Sequence, residues 1–299
     1  MAKPIVVVGM HRSGTSLVSR LLDKLGILMG RDLQEDHESK FFIGLNKWIY
    51  ANAGADWARP EALSELIDFE PAREKVVQYL ITRLSSRASK KFSGRALKNG
   101  VFDISEPWGW KDPRTGPALP IWLSIWPGMR IVHVMRHGVD VAASLHTRSN
   151  RNWDADSDRF EKWLPIYRWR RSHLPIRRGQ RAATLENALD FWAEQVSIEN
   201  SIIGQREEVL RIRFEDILSQ PEMKISEIAE FAGSSISPDM LEEMTSSLDP
   251  SRAFSHREDR ELLEFAEQNA ELLADFGYWD LLWISLTQAD TSKPVCEPK

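Results

Sequence analysis

Cysteine is almost missing from this chain. The one thiol, Cys296, stands in a polar C-terminal stretch, which excludes a disulfide framework and a cysteine zinc site. Long apolar runs are missing too, and none approaches the ~18–20 residues of a membrane span. No excess of positive charge is present. Lys+Arg number 39 against 44 Asp+Glu, a net charge of −5, so general nucleic-acid binding has no electrostatic basis. No leader peptide is expected, because the first strand pattern begins at Ile5, and cytoplasmic residence is the resulting expectation. No internal repeat is visible. Tryptophan, by contrast, is abundant. Of 12 residues, most are expected in the core, leaving one or two that could stack on a sugar or a base. The hydrophobic share of 42% is ordinary for a globular protein, and 299 residues allow one large α/β domain or two small ones.

The most informative stretch is Pro-Ile-Val-Val-Val-Gly-Met-His-Arg-Ser-Gly-Thr-Ser, residues 4–16. The apolar run 5–8 predicts a buried strand, and residues 16–25 predict an amphipathic helix. A strand, a tight turn and a helix N-terminus form an anion site, because the first N–H groups of a helix and its dipole both favour negative charge. The glycine spacing from Gly9 to Ser16 is that of a phosphate-binding loop, GxxxxGK[ST]. The lysine of that pattern is missing, and Thr15 stands in its place. Arg12 is the nearest cation. A loop that keeps its backbone cradle without the triphosphate lysine points to a shorter anionic chain.

Further along, residues 41–50 and 61–86 have helical spacing, the latter broken near Pro71. Residues 108–114 read as a short strand running into a turn, and 119–126 as helix. Residues 130–135 form a second buried strand with Arg136 at its end, followed by a helix over 139–147. Residues 148–181 carry ten Lys/Arg against four Asp/Glu and read as irregular. Helix resumes over 185–203, and 209–214 alternate as an edge strand would. Shorter helices are expected at 223–231, 238–246 and 260–276. The sum is one α/β domain over 1–283: a P-loop-like, doubly wound parallel sheet with helical insertions forming a substrate lid. Residues 284–299 are expected to be a disordered tail.

A second motif is Arg136-His-Gly-Val-Asp-Val-Ala-Ala-Ser144. An arginine at a strand end can clamp a phosphate with its planar fork. Ser144, two turns into the next helix, can donate to the same anion or serve only as a small packing residue. Asp140 can orient the arginine or cap the helix. His133 reads as a packed core residue. Two anion sites on two βα units suit a nucleotide with phosphates at both ends of its ribose.

With these motifs in place, the chain resembles the sulfotransferase family, and in particular bacterial members with a GxHRSGTS loop. The resemblance implies that His11, Arg12, Ser13, Gly14, Thr15 and Ser16 hold the 5′ side of 3′-phosphoadenosine 5′-phosphosulfate. It implies that Arg136 and Ser144 hold the 3′-phosphate. Trp110-Lys-Asp-Pro-Arg114 is similar to a WKDPR-type segment of the family, and Arg213-Phe-Glu-Asp216 to its RYEDL element. The implied reaction is in-line transfer of a sulfuryl group to an acceptor hydroxyl or amine, with Arg12 and Lys111 acting on the leaving side. No metal is expected, for want of a Walker B aspartate. A saccharide is the leading acceptor candidate.

The small-phenol members place a basic histidine two residues after the lysine, where this chain has Pro113. Other members use a glutamate beyond the first helix, so the base is sought among Glu38, His37 and Glu35, in that order, with Phe41 and Phe42 placed to exclude water. Two other readings stay open: a kinase or NTPase with a degenerate loop, and a nucleotide-binding protein without activity.

Overall fold

A computed structural model describes residues 3–170, 180–204 and 206–278. In chain order the elements are β1 (Ile5–Val8), α1 (Thr15–Lys24), α2 (Lys40–Asn52), α3 (Leu63–Asp68), α4 (Glu70–Leu84), α5 (Lys90–Ser93), β2 (Gly109–Lys111), α6 (Leu119–Ile125) and β3 (Arg130–Met135). They continue with α7 (Gly138–Arg170), α8 (Leu185–Ile203), β4 (Val209–Arg213), α9 (Phe214–Ser219), α10 (Pro221–Ala232), α11 (Pro238–Ser246), α12 (Arg260–Gln268) and α13 (Ala270–Asp275). Contacts divide the chain into two compact units. One is Met1–Arg136 with Glu194–Ala253, and the other is His137–Ala193 with Phe254–Lys299.

The first unit is built on a parallel sheet of order β2-β1-β3-β4. Successive strand residues point to opposite faces, so each strand feeds two cores. Val6, Trp110 and Ile131 enter one apolar cluster with Phe42, Phe92, Trp108, Trp122 and Trp126. Ile5, Val7, Val132, Val134 and Ile212 enter the other, with Val18, Leu21 and Leu22 of α1 and Ile225 and Ile228 of α10. Both faces are covered, as parallel sheets require. The chain moves from β1 to β2 on one side and then returns past β1 to β3. That reversal opens a crevice outside the carboxyl ends of β1 and β3, where α/β sheets bind ligands. The doubly wound parallel architecture expected from the sequence is the one observed.

The tryptophans of this unit are mostly core. Phe42 stacks on Trp110 at 4.2 Å and 3°. Trp108, Trp110 and Trp122 are fully buried. Pro71 begins α4 instead of breaking a helix, since a proline in the first turn loses no intrahelical bond.

In the second unit, Asp140 accepts from the His256 backbone N–H at 2.8 Å and from Ser255 Oγ at 3.1 Å. The His137 and His256 rings stack at 4.1 Å. The irregular reading of residues 148–181 is corrected here, because α7 runs on to Arg170. Its Arg, Lys and Glu residues are good helix formers, and no glycine follows Gly138 within it. Trp153 and Trp163 are exposed on this helix. Residues 171–179 and the tail expected over 284–299, with Cys296, lie outside the described residues. Among the described residues, no helix is long and apolar enough to cross a membrane.

Candidate active site

The loop at the end of β1 is shaped by two glycines and one strained residue. Gly9 has φ +146°, and a Cβ there would stand 2.3 Å from the Val134 carbonyl oxygen of β3. Gly14 has φ +89° and caps α1, and its missing Cβ would meet Phe214 Cδ2 at 2.2 Å. Arg12 takes the left-handed region at φ +73°, where a non-glycine residue signals a constrained turn. The helix starts at Thr15 without a side-chain cap, so its first N–H groups remain for an anion. Ser13 adds a hydroxyl that is 1% exposed, and Ser13 Oγ has no hydrogen-bond partner among the described residues. A buried orphan donor beside a helix N-terminus fits a phosphate or sulfate oxygen. Thr15 is buried in the same turn.

Lys111, the last residue of β2, reaches this loop from the neighbouring strand. Lys111 Nζ donates to Ser16 Oγ at 3.1 Å and to Glu38 Oε1 at 2.9 Å. The lysine is 2% exposed, and the side chain of Glu38 9%. Gln34 Nε2 holds the second carboxylate oxygen at 2.7 Å. A short antiparallel bridge, Leu33 to Ser39, closes the loop that carries Glu38. Gln34 N–H donates to the Glu38 carbonyl within it. Ser39 then caps α2 by accepting from Phe42 N–H. The loop is therefore an ordered turn with one carboxylate directed at the lysine.

The other residues considered for the base stand elsewhere. His37 has φ +59°, and its Nε2 lies 3.5 Å from Asp23 Oδ2 of α1. Glu35 is exposed, and its carbonyl accepts from Arg20. His11 packs edge-on against Trp57 at 5.7 Å.

Arg136 extends from the end of β3. Its Nη1 donates to the Arg12 carbonyl at 3.4 Å and its Nη2 to the Arg252 carbonyl at 3.2 Å. Its guanidinium lies 4.8 Å over the Phe214 ring, the ring that also fills the space above Gly14. One aromatic residue at the start of α9 thus supports both the loop and the arginine. Arg252 stands over the same ring at 5.6 Å. Ser144 lies two turns into α7, in the second unit.

Sequence reasoning missed a buried polar network beneath the site. Asp112 is fully buried and accepts from Asn46 Nδ2 at 2.9 Å, from Arg114 N–H at 3.1 Å and from Arg114 Nε at 3.2 Å. Asn46 also donates to Thr115 Oγ1 and accepts from Trp122 Nε1, each at 2.9 Å. Tyr50 donates its hydroxyl to the Arg114 carbonyl at 3.1 Å. Burial first, then the charge of Asp112, holds the Tyr50 hydroxyl well above the usual tyrosine range. His133 Nε2 pairs with Glu199 Oε2 at 3.1 Å, and both residues are fully buried. A signal existed for these residues. Asn46 lies on the face of α2 that also carries Phe42, Ile49 and Tyr50, and Gln195 and Glu199 on the face of α8 that carries Trp192 and Val196. Polar residues inside an apolar helix stripe need partners.

Among the described residues, no group of three or more His, Cys, Asp or Glu is arranged to hold a metal ion. A model of the sulfotransferase family matches residues 4–238. Among solved structures, the chain is similar to the sulfotransferase domain from the curacin biosynthetic pathway. The identity is 15% and the TM-score 0.43, over 90% of this chain and 97% of that one. It is similar to sulfotransferase STF1 from Mycobacterium tuberculosis H37Rv, at 13% identity and TM-score 0.42, over 83% of this chain and 71% of that one. STF9 from Mycobacterium avium gives 12% and 0.44, over 89% and 76%. No curated protein sequence matches the chain.

Proposed function

The chain belongs to the sulfotransferase family, and on that premise we propose that it moves a sulfuryl group from 3′-phosphoadenosine 5′-phosphosulfate to an acceptor hydroxyl or amine. The observation that carries the proposal is the contact of Lys111 with both Ser16 of the loop and Glu38. It joins a cation, an anion cradle and a carboxylate at one point.

Each group then has a task. The loop amides, with the Ser13, Thr15 and Ser16 hydroxyls, bind the 5′-phosphosulfate, with His11 and Gly14 shaping the turn. Arg136 clamps the 3′-phosphate. For Ser144 as its second ligand the support is the sequence motif. In the transfer, the acceptor oxygen forms a bond to sulfur while the bond from sulfur to the bridging oxygen breaks. The leaving electron pair goes to the 5′-phosphate, where Arg12 and Lys111 stabilise the growing charge. The acceptor proton goes to Glu38. Glu38 is preferred to His37 because it faces Lys111, while His37 faces Asp23. Alignment of acceptor and sulfur supplies the remainder of the rate.

The test is incubation of the protein with the sulfate donor and a cell extract, read by mass spectrometry for metabolites that gain one sulfate. Thermal shift accompanies it, with adenosine 3′,5′-bisphosphate against ATP. Stabilisation by the bisphosphate and a sulfated product are expected. Stabilisation by ATP alone would make the chain a nucleoside-triphosphate enzyme.

A further inference from the structure

Behind the pair of Lys111 and Glu38, a second set of contacts joins the same two segments of chain. Glu38 stands just before Ser39, the cap of α2, and Lys111 just before Asp112. Asn46 lies two turns along α2 from Ser39, about 10 Å by the rise of the helix. It is fully buried, and its whole amide is used. Asn46 Nδ2 donates to Asp112 Oδ2 and to Thr115 Oγ1, each at 2.9 Å. Asn46 Oδ1 accepts from Trp122 Nε1 at 2.9 Å. One turn further, Tyr50 donates to the Arg114 carbonyl at 3.1 Å. Glu38, Asn46 and Tyr50 thus fasten the start and the length of α2 to residues 111–115, the end of β2 and the turn after it.

These contacts differ in how closely they fix the helix. Lys111 and Glu38 have long side chains that can meet over a range of helix positions. Phe42 lies flat on Trp110 at 4.2 Å, and apolar contact is not directional. The Asn46 amide is different. It has a short stem, three hydrogen bonds and partners that are themselves held. Asp112 also accepts from Arg114 N–H at 3.1 Å and from Arg114 Nε at 3.2 Å. Hydrogen bonds weaken steeply with distance and angle, so the amide admits one axial position of α2. A helix transmits that position to its first turn, where the chain leaves Glu38.

We propose that Asn46, through Asp112 and Thr115, is the positioning residue that sets Glu38 against Lys111 for transfer. The inference rests on the sulfotransferase reading, which gives the pair its task.

The test uses the full chain. Asn46→Leu removes all three hydrogen bonds at similar volume. Asn46→Asp sets a second carboxylate beside Asp112. The exchange, Asn46→Asp with Asp112→Asn, returns an amide and a carboxylate with their places reversed. Crystal structures with adenosine 3′,5′-bisphosphate give the distance from Lys111 Nζ to Glu38, 2.9 Å in the wild type. It is expected to open past hydrogen-bond reach in Asn46→Leu and Asn46→Asp, and to close again in the exchange. Turnover is followed by mass spectrometry on the cell-extract metabolites that gain sulfate from the donor. Asn46→Leu should lower kcat about 10- to 10²-fold, the scale of a misplacement near 1 Å, with bisphosphate affinity unchanged. In a Glu38→Gln background the same change should cost less than about twofold, because a displaced base and an absent one are equivalent. The exchange should recover part of kcat. Where Asn46→Leu does not fold, Asn46→Ser decides by the same readouts. An unchanged Lys111 to Glu38 distance overturns the inference. So does an equal loss of kcat in both backgrounds, which would mean that Asn46 acts on something other than Glu38. Absence of bisphosphate binding, or of any sulfated product, in the wild type takes down the sulfotransferase reading and this inference with it. Binding and transfer that are indifferent to Asn46 take down the inference alone.

Discussion

The ammonium of Lys111 lies 2.9 Å from a carboxylate oxygen of Glu38, across a sequence separation of 73 residues. The pair joins the end of β2 to the turn before α2, and its lysine also bonds Ser16 at the head of α1. Two elements far apart in the chain are therefore tied to the phosphate loop by one side chain. The roles proposed for the two residues are separable by experiment, because one is assigned to the leaving group and the other to the acceptor proton.

Glu38→Gln keeps the shape of the side chain but removes the proposed base. Turnover should fall about 10²- to 10⁴-fold, the range of general-base catalysis, with bisphosphate affinity unchanged. Lys111→Ala should lower turnover about 10²- to 10³-fold, and Arg12→Ala by a similar amount. Steady-state kinetics separates the roles. A Lys111→Ala effect confined to the Michaelis constant would mean uniform binding, not transition-state stabilisation.

Arg136 stands at the end of β3 with two backbone carbonyl contacts and the Phe214 ring beneath it, and the proposed function gives it the 3′-phosphate. The protein should therefore bind adenosine 3′,5′-bisphosphate well above AMP. Arg136→Ala should remove about 2–5 kcal/mol of that preference, the scale for losing one partner of a desolvated charge pair. Calorimetry with the two nucleotides measures it, and equal affinities in the wild type would refute the 3′-phosphate assignment.

Much of this site was legible in the sequence, and the reason is local. Loop, strand end and helix start are contiguous in residues 5–24, so glycine spacing and apolar patterning report them directly. The doubly wound sheet follows from three strand–helix alternations of the same kind. Family resemblance singled out Lys111 and Glu38 separately, but their contact was not legible, since no periodicity links a strand end to a distant acidic turn. Asn46 meets Asp112 and Thr115 only through the packing of α2 against the turn after β2, and one-dimensional spacing carries no trace of that. The length of α7 was misjudged for a different reason. Its polar face reads as loop when composition is weighed above helix propensity.

Gly14→Ala tests how tightly the loop is built. The new methyl would collide with the Phe214 ring at 2.2 Å, and φ of +89° is strained for alanine. Bisphosphate affinity should fall at least about tenfold, with a loss of stability in the usual 0.5–3 kcal/mol range of point substitutions. Adding Phe214→Leu should relieve the clash but not the backbone strain. The double variant should therefore recover stability in part, as read by thermal melting. Full recovery would show that steric contact alone fixes this position.

The buried His133 and Glu199 pair predicts a non-additive stability change. Glu199→Leu leaves the imidazole without its partner in a fully buried site, and His133→Leu does the same to the carboxylate. Each should cost about 3–5 kcal/mol, the range for breaking a buried pair from one side. Replacing both together should cost much less than the sum, because no uncompensated polar group remains. Urea denaturation of the four proteins gives the coupling directly. Additive losses would mean that the two residues act through packing alone.

Tyr50 gives the pH dependence. Burial and the nearby Asp112 raise its hydroxyl above the ordinary value of 10.0 in the folded protein. A raised acid binds its proton more tightly when folded than when unfolded. The stability it contributes is thus complete below the unfolded value and is lost as pH climbs through the folded one. Denaturation midpoints should begin to fall above about pH 10 as the unfolded tyrosine ionises. Tyr50→Phe loses the hydrogen bond to the Arg114 carbonyl, which costs about 0.5–1.5 kcal/mol near neutrality. Since phenylalanine cannot ionise, that variant should lose less stability than the wild type over the same alkaline range. Ultraviolet titration of the folded protein supplies the second readout. The wild type and Tyr50→Phe should give the same phenolate absorbance until the wild type unfolds, because Tyr50 stays protonated for as long as its site is closed. A phenolate signal lost on Tyr50→Phe near pH 10, with the fold intact, would show that the hydroxyl is open to solvent and that its link to Arg114 does not persist.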